Sequence, residues 1–179
     1  YEAQQASMKQ IKLDRLTGLH RKEEFCDDLE FAVLQANERT TTLAILDIDF
    51  FKKVNDKHGH LAGDEVLAEF SEIIKNNIRK NDQAYRFGGE EFCILYSNTK
   101  VEDAKHSLAR MKKQLEQQKL SSKEIPITFS AGLIEISNIS KNSKDYYEAA
   151  DKALYEVKRN GRNDHKIAIL TREELNAVS

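Results

Sequence analysis

The sequence of 179 residues has few of the residues that interrupt regular structure or form cross-links. It contains one proline, Pro126, no tryptophan, and two cysteines, Cys26 and Cys93, that form neither a CxxC pair nor a zinc-ligand spacing with histidine. No stretch approaches the ~18 apolar residues of a membrane span. The sequence therefore predicts neither a disulfide scaffold nor a zinc site nor a membrane segment, and we expect both thiols to be reduced and buried in a cytoplasmic domain.

An excess of charge of one sign is also absent. The 28 Lys and Arg against 30 Asp and Glu leave a net charge of −2, which excludes the general electrostatic attraction of a nucleic-acid-binding protein. Length and composition suit one folded domain. The sequence begins at Tyr1 without Met or a signal-peptide apolar region. We therefore expect a piece of a longer protein, whose missing N-terminal region could anchor it to a membrane.

Hydrophobic periodicity alternates between helical and strand patterns, which predicts a mixed α/β fold. The predicted strands are 41–48, 83–87, 91–96, 127–136 and 165–170. The predicted helices are 22–38, 61–79, 101–119 and 146–159. A weaker amphipathic pattern over residues 2–13 suits a connecting helix. Segment 50–64 is interpreted as a polar loop followed by the start of a helix.

Acidic residues lie at the end of one predicted strand and in one predicted turn. Asp47 and Asp49 close the apolar strand 41–48, and Glu90 and Glu91 follow Gly88-Gly89 between two strand candidates. If the strand pairs with this hairpin, the carboxylates converge into a site for Mg²⁺, which binds through one or two carboxylates together with substrate phosphates. The alternative is that these acids simply end strands at the solvent boundary.

The segment after this strand combines polar groups of both signs. Asn55 and Asp64 offer the acceptors and the donor that match the edge of guanine. Asp64 could instead be only the N-cap of the following helix.

Six ordered stretches resemble the motifs of GGDEF-type diguanylate cyclases. They are residues 14–19 (DRLTGL), 47–56 (DIDFFKKVND), 58–64 (HGHLAGD), 86–92 (RFGGEEF), 150–155 (ADKALY) and 158–163 (KRNGRN). The chain departs from the usual pattern at Arg21 and Lys22, where the family usually has Asn and Arg. Glu90 stands where Asp is commonest and keeps the carboxylate with a longer reach.

The resemblance implies a palm-like α/β domain, with a central, mostly antiparallel sheet flanked by helices. Such enzymes condense two GTP into cyclic di-GMP and two pyrophosphates. By this resemblance, two Mg²⁺ ions per half-site, with Mn²⁺ as a possible substitute, are held by Asp47, the Ile48 carbonyl and Glu90. Whether Glu91 accepts the 3′-hydroxyl proton or only supports the site stays open. The implied substrate contacts are Asn55 and Asp64 to guanine, Lys158, Arg162 and amides near Phe50, Phe51 and Lys52 to phosphates, and close approach at Gly88 and Gly89.

The resemblance also implies a homodimer, because each domain holds one GTP, and product inhibition at Arg79 and Asp82, the family's RxxD position. It divides the chain into a linker helix from an absent sensory domain at residues 1–13, a catalytic domain at 14–172 and a tail at 173–179.

Two alternatives to this function stay open. One is a catalytically silent module that binds GTP or cyclic di-GMP, and the other is a cyclase that acts on ATP.

Overall fold

A computed structural model describes residues 12–177 as a six-stranded sheet with helices on both faces. The strands are β1 (His20–Arg21), β2 (Thr41–Ile48), β3 (Gln83–Gly88), β4 (Glu91–Tyr96), β5 (Phe129–Ile136) and β6 (His165–Ala168). The helices are α1 (Lys22–Leu34), α2 (Phe51–His58), α3 (His60–Asn76), α4 (Val101–Gln117), α5 (Ser143–Arg159) and α6 (Arg172–Asn176). Among residues 12–177, no helix is both long and apolar enough to cross a membrane.

The sheet order is β1-β3-β4-β2-β5-β6. The four central strands pair antiparallel, and β1 and β6 add parallel edges. All eight residues of β2 are buried, because helices cover both faces of this central strand. The predicted α/β fold with a mostly antiparallel sheet is confirmed.

Alternate residues of β2 enter two separate cores. Ala44 and Leu46 face the core formed with α3 and α4, whereas Leu43 and Ile45 face the core formed with α1 and α5. The next residue on the second face is Asp47, which therefore emerges beside α5 at the end of the strand.

The structure corrects two sequence-based expectations and excludes one alternative. Residues 51–58, interpreted as a loop, form helix α2, which was missed because its eight residues bury only Phe51 and Val54. Cys93 is buried as expected, but Cys26 is exposed on α1. Asp64 is the fifth residue of α3, which begins at His60, so Asp64 is not the N-cap.

Several boundaries differ by a few residues from the prediction. Helix α3 ends at Asn76, which leaves Arg79 in the loop before β3. Helix α5 begins earlier than expected because the Asn142 side chain accepts a hydrogen bond from the Lys144 N–H at 3.1 Å. The predicted linker helix at 1–13 lies almost wholly outside the described residues. Helix α6 crosses the predicted domain boundary at residue 172.

Candidate active site

The end of β2 and the turn between β3 and β4 lie side by side. Asp47 is the direct antiparallel partner of Glu91, so their side chains share one face of the sheet. The Ile48 N–H donates to the Glu90 carbonyl at 3.3 Å. The pairing therefore brings Asp47 and Ile48 beside Glu90 and Glu91, which lie more than 40 positions later in the sequence.

A lysine from α5 reaches the first of these acids. Lys158 Nζ donates to Asp47 Oδ2 at 2.5 Å, and the Asp47 side chain is only 12% exposed. Burial raises the pKa of Asp47, although the hydrogen bond and positive charge of Lys158 act in the opposite direction. Asp47 is therefore a partly desolvated carboxylate that depends on nearby positive charge.

Glu91 is held from the opposite end of α5. Tyr147 Oη donates to Glu91 Oε1 at 3.0 Å. Burial raises the pKa of Glu91, and the hydrogen bond from Tyr147 only partly offsets this effect. Burial and the charge of Glu91 in turn raise the pKa of Tyr147 well above its ordinary value, so the phenol stays protonated and remains a donor.

Asp49, the other acid at the end of β2, is not aimed at this site. Its carboxylate accepts hydrogen bonds from the Thr128 and Ser130 hydroxyls, both at 2.6 Å, and from the Asn163 N–H at 3.0 Å. Asp49 therefore joins β2, β5 and the loop after α5. The acidic residues that converge are Asp47, Glu90 and Glu91.

The donor set at this site is small and consists of oxygen. Among residues 12–177, no group of three or more His, Cys, Asp or Glu side chains is placed to hold a metal ion. The ligands that the family resemblance predicts, Asp47, Glu90 and the Ile48 carbonyl, are oxygen donors at one strand end. This set fits Mg²⁺, which keeps waters and takes substrate phosphates as further ligands.

Positive groups gather beside the start of α2. Phe50 precedes the helix in the left-handed conformation, with φ of 57°, and its side chain has no atom that could cap the first N–H groups. The Lys53 ammonium and the Arg162 guanidinium both lie 4.6 Å from the Phe50 ring centroid. Phe51 is buried and Lys52 is exposed in the first turn of the helix. A helix N-terminus flanked by two cations is suited to phosphate.

Helices α2 and α3 place the two predicted guanine contacts on adjoining elements. Asn55 lies on α2 and is half-buried, and Asp64 lies on α3 and is exposed. A Cβ on Gly63 would lie 1.9 Å from Asn55 Oδ1, so the glycine leaves room for the Asn55 side chain between the two helices. Gly63 is a positioning residue that sequence reasoning did not single out, although it stands within the HGHLAGD stretch.

Arg86 is a second residue that sequence reasoning missed as a site component. Its Nε and Nη2 donate to the Gly89 carbonyl at 3.1 and 3.0 Å, and its Nη1 forms an ion pair with Asp14 at 3.3 Å. Asp14 Oδ2 also accepts hydrogen bonds from the Thr17 N–H and hydroxyl. Arg86 thus holds the glycine turn against the start of the domain, and its place directly before that turn was the available signal.

The predicted inhibitory pair lies at the far end of β4. Asp82 is buried, and its two oxygens accept from the Arg79 N–H at 2.7 Å and the Ser97 N–H at 2.9 Å. Arg79 is exposed, and its guanidinium contacts the Ser97 carbonyl and the Thr99 hydroxyl. Glu91 and Tyr96 bound β4, so the pair is separated from the acidic site by about 17 Å of strand.

A cleft of about 250 Å³ opens between Arg79 and α4. Its lining includes Arg79, Asp82, Asn98, Thr99, Asp103 and Arg110. Arg110 donates to the Asn77 carbonyl at 3.1 Å. A second guanidinium therefore borders this cleft, and the sequence offered no motif that would have pointed to it.

Comparison with known sequences places this architecture in one family. The family "Diguanylate cyclase, GGDEF domain" matches residues 11–164. Diguanylate cyclase A of Treponema denticola is 42% identical over 74% of the chain, and diguanylate cyclase DgcS of Shewanella oneidensis is 36% identical over 92%. The chain spans 37% and 55% of the lengths of these two relatives.

Solved structures agree with this placement. The GGDEF domain of DgcB from Caulobacter crescentus, solved in complex with c-di-GMP, is 32% identical with a TM-score of 0.80, over 87% of this chain and 94% of that domain. The active GGEEF domain of a diguanylate cyclase from Vibrio cholerae is 31% identical with a TM-score of 0.77, over 84% and 98%. The mostly antiparallel sheet with an acidic hairpin beside its central strand is the fold of a GGDEF-type α/β domain. The chain belongs to the GGDEF-domain family of diguanylate cyclases.

Proposed function

We propose that this chain is the catalytic domain of a diguanylate cyclase, which joins two GTP molecules into cyclic di-GMP and releases two pyrophosphates. The observation that carries the proposal is the register of β2 on β4. It sets Asp47 opposite Glu91 and draws the Glu90 turn to Ile48, beside the uncapped start of α2. Carboxylates for divalent ions and N–H groups for phosphate thus adjoin one strand end.

The condensation forms one bond and breaks one bond at each α-phosphorus. The 3′-oxygen of one GTP attacks the α-phosphorus of the other, the bond to pyrophosphate breaks, and the hydroxyl proton leaves to a base. Asp47, the Ile48 carbonyl and Glu90 would hold Mg²⁺, which supplies positive charge to the reacting oxygens. Glu91 is the nearest further carboxylate, and it either accepts the proton or orients the groups that do.

The phosphates would lie across the start of α2. The N–H groups of Phe51 and Lys52 and the guanidinium of Arg162 meet the triphosphate, and the backbone of Gly88 and Gly89 permits its close approach. Lys158, held on Asp47 in this structure, is long enough to turn from that carboxylate toward a phosphate when Mg²⁺ takes its place.

Guanine would be recognised by Asn55 and Asp64. The Asp64 carboxylate accepts hydrogen bonds from the N1–H and exocyclic amine of guanine, and adenine offers no such pair of donors at that edge. Asn55, held against Gly63, supplies the remaining polar contact. This difference in donors favours GTP over ATP.

Two domains are required, because one domain holds one GTP and the product contains two. We propose a homodimer in which the two acidic sites face each other. Product inhibition is proposed at the cleft beside Arg79, where Arg79 and Arg110 offer two guanidinium groups to phosphates and guanine edges. Because the Asp82 oxygens already accept backbone N–H groups, the role of Asp82 is to shape the loop that presents Arg79.

The experiment is turnover with GTP and Mg²⁺, with the product identified by chromatography and mass. We expect cyclic di-GMP from the wild type and none from Asp47→Asn or Glu90→Gln. Glu116→Gln, an exposed acid on α4, serves as the matched control and should retain activity. GTP binding without product would favour the silent module, and an adenine product from ATP would favour the other cyclase.

A further inference from the structure

Glu91 has a single partner that orients its carboxylate. Within residues 12–177, Tyr147 is the one side chain that hydrogen-bonds to Glu91, with Oη donating to Oε1 at 3.0 Å. Among the same residues, the other oxygen, Oε2, accepts no hydrogen bond from a side chain. A glutamate has three rotatable side-chain bonds, so an acceptor role at one oxygen limits where the second oxygen can lie.

The Tyr147 ring is itself held in place by aromatic packing. Its centroid lies 5.2 Å from that of Phe87 with the planes 24° apart, and 6.1 Å from that of Phe25 at 62°. Phe87 belongs to β3 and Phe25 to α1. The half-buried ring is therefore packed against two other elements at the edge of the core, which restricts the position of its hydroxyl.

The same helix also reaches Asp47. Tyr147 and Lys158 are eleven positions apart on α5, which is about three turns and an angular offset of about 20°. One face of one helix thus contacts both members of the Asp47–Glu91 strand pair. A Cβ on Gly132 would lie 2.0 Å from the Ala150 carbonyl, so α5 rests directly on β5 at this level.

We propose that Tyr147 is a positioning residue that holds the Glu91 carboxylate in the orientation needed for attack by the 3′-hydroxyl of GTP. This inference rests on the proposed cyclase activity. Negative charges of Asp47 and Asp151 act on Glu91, and Lys158 attracts it. Without the phenol, no side-chain hydrogen bond among residues 12–177 holds the Glu91 carboxylate in this orientation.

Tyr147→Phe tests the proposal, because it removes one oxygen and keeps the ring stacked on Phe87. We expect kcat to fall about tenfold, since a hydrogen bond to a charged group is lost, while KM for GTP stays within about twofold. The matched control is Tyr155→Phe on the same helix, where the side chain is 59% exposed, and this variant should keep wild-type kcat. Binding of GTP measured by calorimetry should be unchanged in both variants.

A second measurement separates positioning from a general structural effect. In Glu91→Asp the shortened carboxylate cannot reach Tyr147, so adding Tyr147→Phe should cause no further loss of turnover. A full additional tenfold loss in that background, or wild-type kcat in Tyr147→Phe alone, would overturn the positioning role. A wild-type protein that makes no cyclic di-GMP would instead overturn the proposed function on which the role rests.

Discussion

Gly63 has no side chain, and the Asn55 side chain occupies the space that a Cβ there would need. The Asn55 Oδ1 atom lies 1.9 Å from the position that a Cβ on Gly63 would occupy. Helix propensity alone would make Gly63→Ala stabilising by up to about 1 kcal/mol, whereas the clash displaces Asn55.

We therefore expect Gly63→Ala to weaken GTP binding by about tenfold, the effect of about 1.4 kcal/mol, and to reduce discrimination against ATP. Calorimetric titration with both nucleotides measures this. Glu72→Ala, on the exposed face of the same helix, is the control for changes in α3 as a whole. Wild-type GTP affinity in Gly63→Ala would show that Asn55 makes no contact with the base.

Asp14 gives the domain a dependence of stability on pH. Burial raises the pKa of its carboxyl, but hydrogen bonds from Thr17 and the charge of Arg86 together lower it below the ordinary value of 3.8. The stabilisation is therefore fully present only well above pH 3.8 and is lost as the pH falls through the lower, folded-state pKa.

Asp14→Asn should lower the free energy of unfolding at neutral pH, because the variant cannot pair with Arg86. Its deficit relative to the wild type should shrink as the pH falls below 3.8 and through the lower, folded-state pKa of Asp14. Urea denaturation of both proteins at several pH values measures the difference. A deficit that is constant across this range would mean that the Asp14 charge contributes nothing to stability.

At the scale of elements, α5 carries both contacts to the acidic strand pair, and its docking depends on Gly132. A Cβ there would lie 2.0 Å from the Ala150 carbonyl and 2.7 Å from the Leu154 nitrogen, which are backbone atoms that cannot turn aside. The alanine would have to push the helix away from β5, and Lys158 and Tyr147 would move with it.

Gly132→Ala should therefore destabilise the domain by about 1–3 kcal/mol, as overpacking of a core does, and should reduce turnover in parallel. Gly88→Ala is a useful comparison for stability, since a Cβ at Gly88 has no neighbour within 4 Å. It should change the free energy of unfolding by less than about 0.5 kcal/mol. Equal stability of the two variants in urea would contradict the close contact of α5 with β5.

At the scale of the whole molecule, turnover should depend on the encounter of two domains. Specific activity is expected to rise with protein concentration until the dimer predominates, because the two bonds of the product need two bound GTP molecules. Activity measured beside sedimentation over the same concentrations tests this. Constant specific activity in a range where only monomer is present would rule out the two-half-site arrangement.

Inhibition by product should act through the remote cleft. Arg79→Ala and Arg110→Ala should each weaken inhibition by added cyclic di-GMP by about tenfold or more, because each removes charged hydrogen bonds to a phosphate or guanine edge. The control is Lys80→Ala, an exposed cation beside Arg79. Inhibition of both arginine variants at wild-type concentrations of product would place the inhibitory site elsewhere.

The sequence by itself determined the elements whose burial is nearly complete. Strand β2 was predicted at residues 41–48 and is found as Thr41–Ile48, because a strand covered on both faces reads as a continuous apolar run. Helix α2 was missed because two buried side chains in eight residues do not establish a helical period. The motifs also singled out Asp47, Glu90 and Glu91, which the strand pairing brings together, while the functions of these residues stay predictions.

Only the tertiary structure decided what each of these groups touches. Asp47 and Asp49 are indistinguishable by type and spacing, yet packing turns one toward Lys158 and the other into hydrogen bonds with Ser130 and Asn163. The contact of Tyr147 with Glu91 joins residues 56 positions apart, and that of Lys158 with Asp47 joins residues 111 apart. Such contacts depend on strand register and on how closely a helix approaches the sheet, which are set by the packing of the whole domain and leave no local pattern in the chain.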